Sequence, residues 1–281
     1  MGLWHDAPVT APTIGFVTGT GRCGTMTLAN VLSRAPGCLS LHEGQVRDGL
    51  EASGRPLPHL TLQNLAAYLE PETAGEILAT FRAGQIAALL GEHDAVCDVA
   101  YYYAPFARAL PARFPTSRLA VIVREGKAFV RSAYTSEVPD PMPCGFVDPR
   151  ELSTHERFCA AGRLRPRAGT PADAAWAAWT PFQKNCWLWA ETNRLLLDAL
   201  PAWGERGALF RFEDLLSGGA AGLEPLLAFL GLEVEPAAVE AVLAQSLNAR
   251  TGKVLPPANE WSDDLHAQFE AIAGETARRL G

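Results

Sequence analysis

No CxxC pair and no Cys/His ligand spacing occurs among the six cysteines, Cys23, Cys38, Cys97, Cys144, Cys159 and Cys186. A disulfide framework or structural zinc site is therefore not expected, and a reducing compartment fits best. No stretch approaches the roughly 20 apolar residues of a membrane span, and Met1-Gly2-Leu3-Trp4-His5-Asp6 lacks a basic region followed by an apolar run. The expectation is a cytoplasmic protein without anchor or leader. A basic excess is missing too: 24 Lys and Arg against 31 Asp and Glu leave a net charge of −7, so nucleic acid is not an expected partner. With no repeat, low-complexity tract or linker, the 281 residues, 48% of them apolar, read as one domain, 1–281, able to bury a large core.

Short β-rich runs alternate with helical stretches. Strands are expected at 14–19, 38–42, 95–99, 118–123 and 208–212, with helices following to about 34 and over 62–90, 102–113, 125–135 and 182–200. This alternation predicts an α/β fold, a parallel sheet flanked by helices on both faces. Ligands of such sheets sit at the carboxyl ends of the strands, which here carry a glycine loop, His42 with Glu43, Asp98 and Arg124. The stretch 136–172 is rich in Pro, Gly and Arg and reads as an irregular cover or lid. Trp176, Trp179, Trp187 and Trp189 are partly helix-spaced and read as core.

The first of these strand ends is a phosphate cradle. Gly19, Gly21 and Gly24 let the chain turn tightly, and the helix starting near Thr25 directs unpaired N–H groups at the same spot. A Walker A loop would carry Lys directly after its second anchoring glycine; here Gly24 is followed by Thr25, and the cation, Arg22, lies inside the loop. A second anion site is signalled by Arg124, followed eight residues on by Ser132. A Walker B strand end would offer a carboxylate for magnesium; a guanidinium instead matches phosphate oxygens two at a time. A proton acceptor near the cradle can come from either His42 or Glu43.

Together these motifs resemble the sulfotransferases that use 3′-phosphoadenosine 5′-phosphosulfate (PAPS). Arg22-Cys23-Gly24-Thr25-Met26 is similar to their 5′-phosphosulfate loop, basic-Ser-Gly-Thr-Thr, and Arg124 with Ser132 to their 3′-phosphate motif. Trp187-Leu188-Trp189, Phe212-Glu213-Asp214-Leu215 and Phe229-Leu230-Gly231-Leu232 are similar to weaker recurring segments, so the resemblance spans most of the chain. It implies a P-loop-like fold and metal-independent transfer of a sulfuryl group from PAPS to a hydroxyl or amine of a small-molecule or carbohydrate acceptor, leaving 3′,5′-adenosine bisphosphate (PAP). Gly21, Arg22, Cys23, Gly24, Thr25, Met26, Thr27, Arg124 and Ser132 would bind the donor, with Arg250 and Lys253 closing over its 3′-phosphate. Arg22 would stabilise the leaving phosphate. Glu43 or His42 would be the base, Glu43 looking like the Glu of members that use one. Cys23 and Met26 depart from Ser and Thr, and Thr27 stands where many members carry an adenine-stacking Trp. Two other readings are a small-molecule kinase with an altered P-loop and a catalytically silent nucleotide-binding relative.

Overall fold

A computed structural model describes residues 13–245, 247 and 252–281. The elements in chain order are β1 (Thr13–Gly19), α1 (Thr25–Leu32), β2 (Cys38–His42), β3 (Gln45–Asp48), β4 (Glu51–Gly54), α2 (Thr61–Leu69), α3 (Ala74–Leu78), α4 (Gly84–Leu90), β5 (Ala95–Val99), α5 (Leu110–Arg113), β6 (Arg118–Val123) and α6 (Gly126–Ala133). There follow α7 (Thr154–Ala161), α8 (Pro171–Trp176), α9 (Pro181–Ala199), β7 (Gly207–Arg211), α10 (Phe212–Ser217), α11 (Gly219–Leu230), α12 (Pro236–Leu243) and α13 (Asp263–Leu280).

The seven strands form one sheet in the order β4-β3-β2-β5-β1-β6-β7. The five strands from β2 to β7 run parallel, while β3 and β4 append an antiparallel hairpin to the β2 edge. Strand periodicity divides the core between two faces. Phe16, Leu119, Val121 and Val123 pack on one side with Tyr102, Tyr103 and Leu196. Val17, Ala120 and Ile122 pack on the other with α1, α11 and α12. A third cluster, built on Phe129, Trp187, Trp189 and Phe269, joins α6, α9 and α13. The expected α/β architecture with helices on both faces is what the chain adopts.

Several local expectations need correction. The β3–β4 hairpin is absent from the sequence reading because β4 is exposed throughout and carries no apolar alternation. The stretch 62–90 is not one helix: Pro71 opens a 3₁₀ turn after α2, and five residues of π-helix, Ala79–Ala83, separate α3 from α4. The expected helix 102–113 is a 3₁₀ run, Tyr101–Phe106, containing Pro105, followed by the short α5. The stretch 136–172 is not irregular throughout, since it contains α7. A capping box starts that helix: Ser153 accepts from the Glu156 backbone N–H, and Glu156 accepts from that of Ser153.

Candidate active site

The loop after β1 makes a left-handed excursion, with φ of 74° at Gly21, 53° at Arg22 and 75° at Gly24. A side chain at Gly24 would be strained by that φ, and its Cβ would lie 3.0 Å from the Phe212 ring. Gly24 is the N-cap of α1, which has neither a side-chain cap nor an acidic residue in its first turn. The first-turn N–H groups are thus left to an incoming anion. Cys23 does not line the cavity; it is fully buried in the α1-side core, where burial, opposed by Arg124, pushes its thiol up to about 12. Met26 is also buried, so both residues offer only backbone groups here, and Thr27 lines neither of the cavities described below.

Arg124 follows the last residue of β6 and is fixed on three sides. Its guanidinium stacks 4.8 Å from the Phe212 ring, its carbonyl accepts from Trp189 Nε1 at 2.9 Å, and its Nη1 donates to the Arg22 carbonyl at 2.5 Å. Arg22 in turn donates from Nε to Ser132 Oγ at 3.2 Å. The glycine loop and the Arg124/Ser132 pair therefore belong to one continuous site. A cavity of about 150 Å³ beside them is lined by Arg124, Lys127, Arg131, Ser132 and Lys253. Its carboxylate, Glu125, is occupied in capping α6, where it accepts from the Lys127 and Ala128 backbone N–H groups. Burial and neighbouring Arg22 hold Arg124 below its ordinary pKa; burial, Arg131, Arg124 and Arg22 do the same to Lys253. Arg124 Nε is buried without a partner among the described residues. Such a gathering of cations fits an anionic ligand.

On the other side of the glycine loop lies a cavity of about 350 Å³, lined among others by Gly21, Arg22, Thr25, His42, Glu43, His59 and Tyr101. Glu43 has φ 54° and is followed by Gly44 at φ 75°. Asp98 secures this turn by accepting from the Gly44 backbone N–H at 2.9 Å. The buried network behind Asp98 contains Tyr103 at 2.6 Å, Tyr102 at 3.4 Å and the fully buried Arg82 at 3.6 Å. Asp98 thus positions the turn that carries Glu43.

The polarity of the base is set by its neighbours. The Thr61 backbone N–H donates to His59 Nδ1 at 3.1 Å, which makes Nδ1 the acceptor and leaves the ring proton on Nε2. That proton is donated to Glu43 Oε2 at 2.8 Å. The other carboxylate oxygen lies 3.8 Å from His42 Nε2, which is 3.2 Å from Thr25 Oγ1. Burial pushes the Glu43 carboxyl up, but the two histidines, through their charge when protonated and the hydrogen bond from His59, outweigh it together with Arg47 and hold the group below its ordinary range. Burial holds His42 low, against Glu43, so its imidazole is neutral near pH 7. Glu43 is thus an ionised acceptor in the cavity wall, with His42 lying between it and the start of α1.

The structure thus gathers Gly21, Arg22, Thr25, His42, Glu43, Arg124, Ser132 and Lys253 around adjoining cavities, while Arg250 lies outside the described residues. His59, Phe212, Arg131 and Trp189 went unread as site residues. His59 sits 16 residues beyond Glu43 in Pro56-Leu57-Pro58-His59, without a motif of its own, and the Trp189 contact with Arg124 is visible only in three dimensions.

The mostly parallel sheet, covered by helices on both faces and carrying the glycine loop and Arg124 at adjacent strand ends, defines an α/β fold. Among solved structures, the sulfotransferase from Alicyclobacillus acidocaldarius matches it with a TM-score of 0.50 at 15% identity, over 96% of this chain and 94% of that one. The sulfotransferase domain of the Synechococcus PCC 7002 olefin synthase matches with a TM-score of 0.48 at 16% identity, over 97% and 98%. No protein-family model and no curated protein matches the sequence. The chain has the sulfotransferase fold.

Proposed function

We propose that this chain is a PAPS-dependent sulfotransferase. The observation that carries the reading is the double role of Arg22: its carbonyl is held by Arg124 and its side chain by Ser132, so the two motifs adjoin, which supports a single ligand spanning both. The loop N–H groups, Arg22 and Thr25 would hold the 5′ end of the donor, and Arg124, Ser132 and Lys253 its 3′-phosphate. The acceptor hydroxyl would enter the larger cavity, where residues 141–144 with His155, Phe158 and Cys159 supply part of the wall. As the acceptor oxygen bonds to sulfur, the bond from sulfur to the 5′-phosphate oxygen breaks and PAP departs with that electron pair. The acceptor proton goes to Glu43, whose orientation is maintained by His59. Arg22 and the loop N–H groups meet the charge growing on the leaving phosphate, the task that fixed dipoles do best in a site screened from water. The whole chain, 1–281, acts as one domain on this reading.

The test is calorimetric titration of PAP together with transfer of labelled sulfate from PAPS to a panel of hydroxyl acceptors. PAP should bind without added metal. Arg124→Ala should weaken it about 100-fold, the scale of a lost buried charge-assisted pair, whereas Glu43→Gln should leave affinity within about 3-fold and reduce transfer by about 10³. Equal losses of PAP affinity in the two variants would overturn the assignment. EDTA-sensitive turnover of ATP would point to a kinase, and PAP binding without transfer to any acceptor to a silent nucleotide-binding module.

A further inference from the structure

The acceptor side of the larger cavity carries a charge arrangement that sulfuryl transfer does not require. Arg47 and Arg55 both line it, one from β3 and the other just past the end of β4. Both donate to the same neutral oxygen, Gln45 Oε1, Arg47 from Nη2 at 2.9 Å and Arg55 from Nη2 at 3.4 Å. Their other head groups bond backbone carbonyls, Arg47 to Leu50 at 2.9 Å and Arg55 to Glu43 at 2.7 Å. No carboxylate of the described residues forms an ion pair with either one. Glu43, the carboxylate among the residues lining this cavity, is bonded to His59, and Asp48 on the same hairpin is taken by Arg34 at 2.8 Å. Arg47 Nε is buried without a partner among the described residues.

Two guanidiniums bound to one amide oxygen repel each other; Glu43 offsets this for Arg47 from a distance, without an ion pair, while the shared amide oxygen carries no charge. An oxyanion would, and the planar forks suit a carboxylate or a phosphate. The same cavity is also lined by apolar and aromatic side chains, Tyr101, Pro141, Met142 and Phe158. Resting on the reading of this cavity as the acceptor pocket, we infer that the acceptor is an anionic amphiphile. It carries a carboxylate or phosphate bound by Arg47 and Arg55, an apolar body against Tyr101 and Phe158, and its reacting hydroxyl at Glu43. The hairpin beyond β2 is then a specificity element that selects acceptors by their acid group.

Matched probes test this by calorimetry on the protein saturated with PAP and on the protein without it: 4-hydroxyphenylacetate, its uncharged amide, and 4-hydroxyphenyl phosphate. With PAP bound, at least one acid probe should bind about 10-fold or more tightly than the amide, and the stronger of the two acids identifies the anion. Arg55→Gln, at an exposed residue, and the Arg47→Gln/Arg55→Gln pair should reduce that preference to about 2-fold or less while leaving PAP affinity unchanged. Equal binding of acids and amide, or a preference that survives the double variant, would overturn the inference. The preference for the acid over the amide should persist without PAP. Failure of PAP to bind would therefore count against the donor reading alone, and loss of the acid preference against the acceptor inference alone.

Discussion

Two histidines flank Glu43 and act on it differently. His59 is locked into one tautomer by the Thr61 backbone and donates to the carboxylate, whereas His42 is buried, neutral, and close to Thr25 at the start of α1. The neutrality of His42 has a thermodynamic consequence. Its folded-state pKa lies below the unfolded value of 6.5, so below pH 6.5 the unfolded chain takes up a proton that the folded chain refuses. The stability contribution is present above the unfolded value and is lost as pH falls toward the folded one. Thermal unfolding of the wild type should therefore show a loss of Tm between pH 7.5 and 5 that is smaller in His42→Gln. An unchanged pH slope in the variant would contradict this account.

At the scale of the element, the decisive piece is the turn that carries Glu43 out of β2. Gly44 has φ 75°, and a Cβ there would lie 2.3 Å from the Leu57 carbonyl oxygen. Gly44→Ala should lower the unfolding free energy by about 2 kcal/mol or more, combining backbone strain with overpacking. Urea titration measures it, and a loss under about 0.5 kcal/mol would show that the turn relaxes freely. The strands β2, β5 and β6 were legible to the residue because each is a short, largely apolar run between turn residues, buried over most of its length. The hairpin β3–β4 was not, although Asp48-Gly49 marks its turn, since its residues face solvent and bury too little to impose a pattern. Likewise Ser153-Thr154-His155-Glu156 spells the capping box of α7, but the prolines and arginines around it masked the signal. The glycine loop and Arg124 with Ser132 were readable because their chemistry is local. The partnership of Glu43 with His59 was not, because it joins a strand end to the residues before α2.

Over the whole molecule, charge is distributed against its sum. A chain of net charge −7 gathers Arg22, Arg124, Lys127, Arg131 and Lys253 around one pair of cavities. Mutual repulsion there is relieved when an anion enters. PAP at about 100 times its Kd should therefore stabilise the fold by about 2.7 kcal/mol, raising Tm by about 5 °C. The shift at fixed PAP should shrink between 50 and 500 mM sodium chloride as counterions compete. Differential scanning fluorimetry reads both, and an unchanged Tm at saturating PAP would rule out the stabilising role given to the cationic cluster.

The peptide carbonyl and the guanidinium of Arg22 belong to the two ends of the site at once. A fragment with a single phosphate, such as AMP or inorganic phosphate, would engage only one of those ends. On the proposed reading a bisphosphate would engage both ends of the site, which Arg22 links through its carbonyl and its side chain, so discrimination against mononucleotides would come from sharing a residue rather than from adding another.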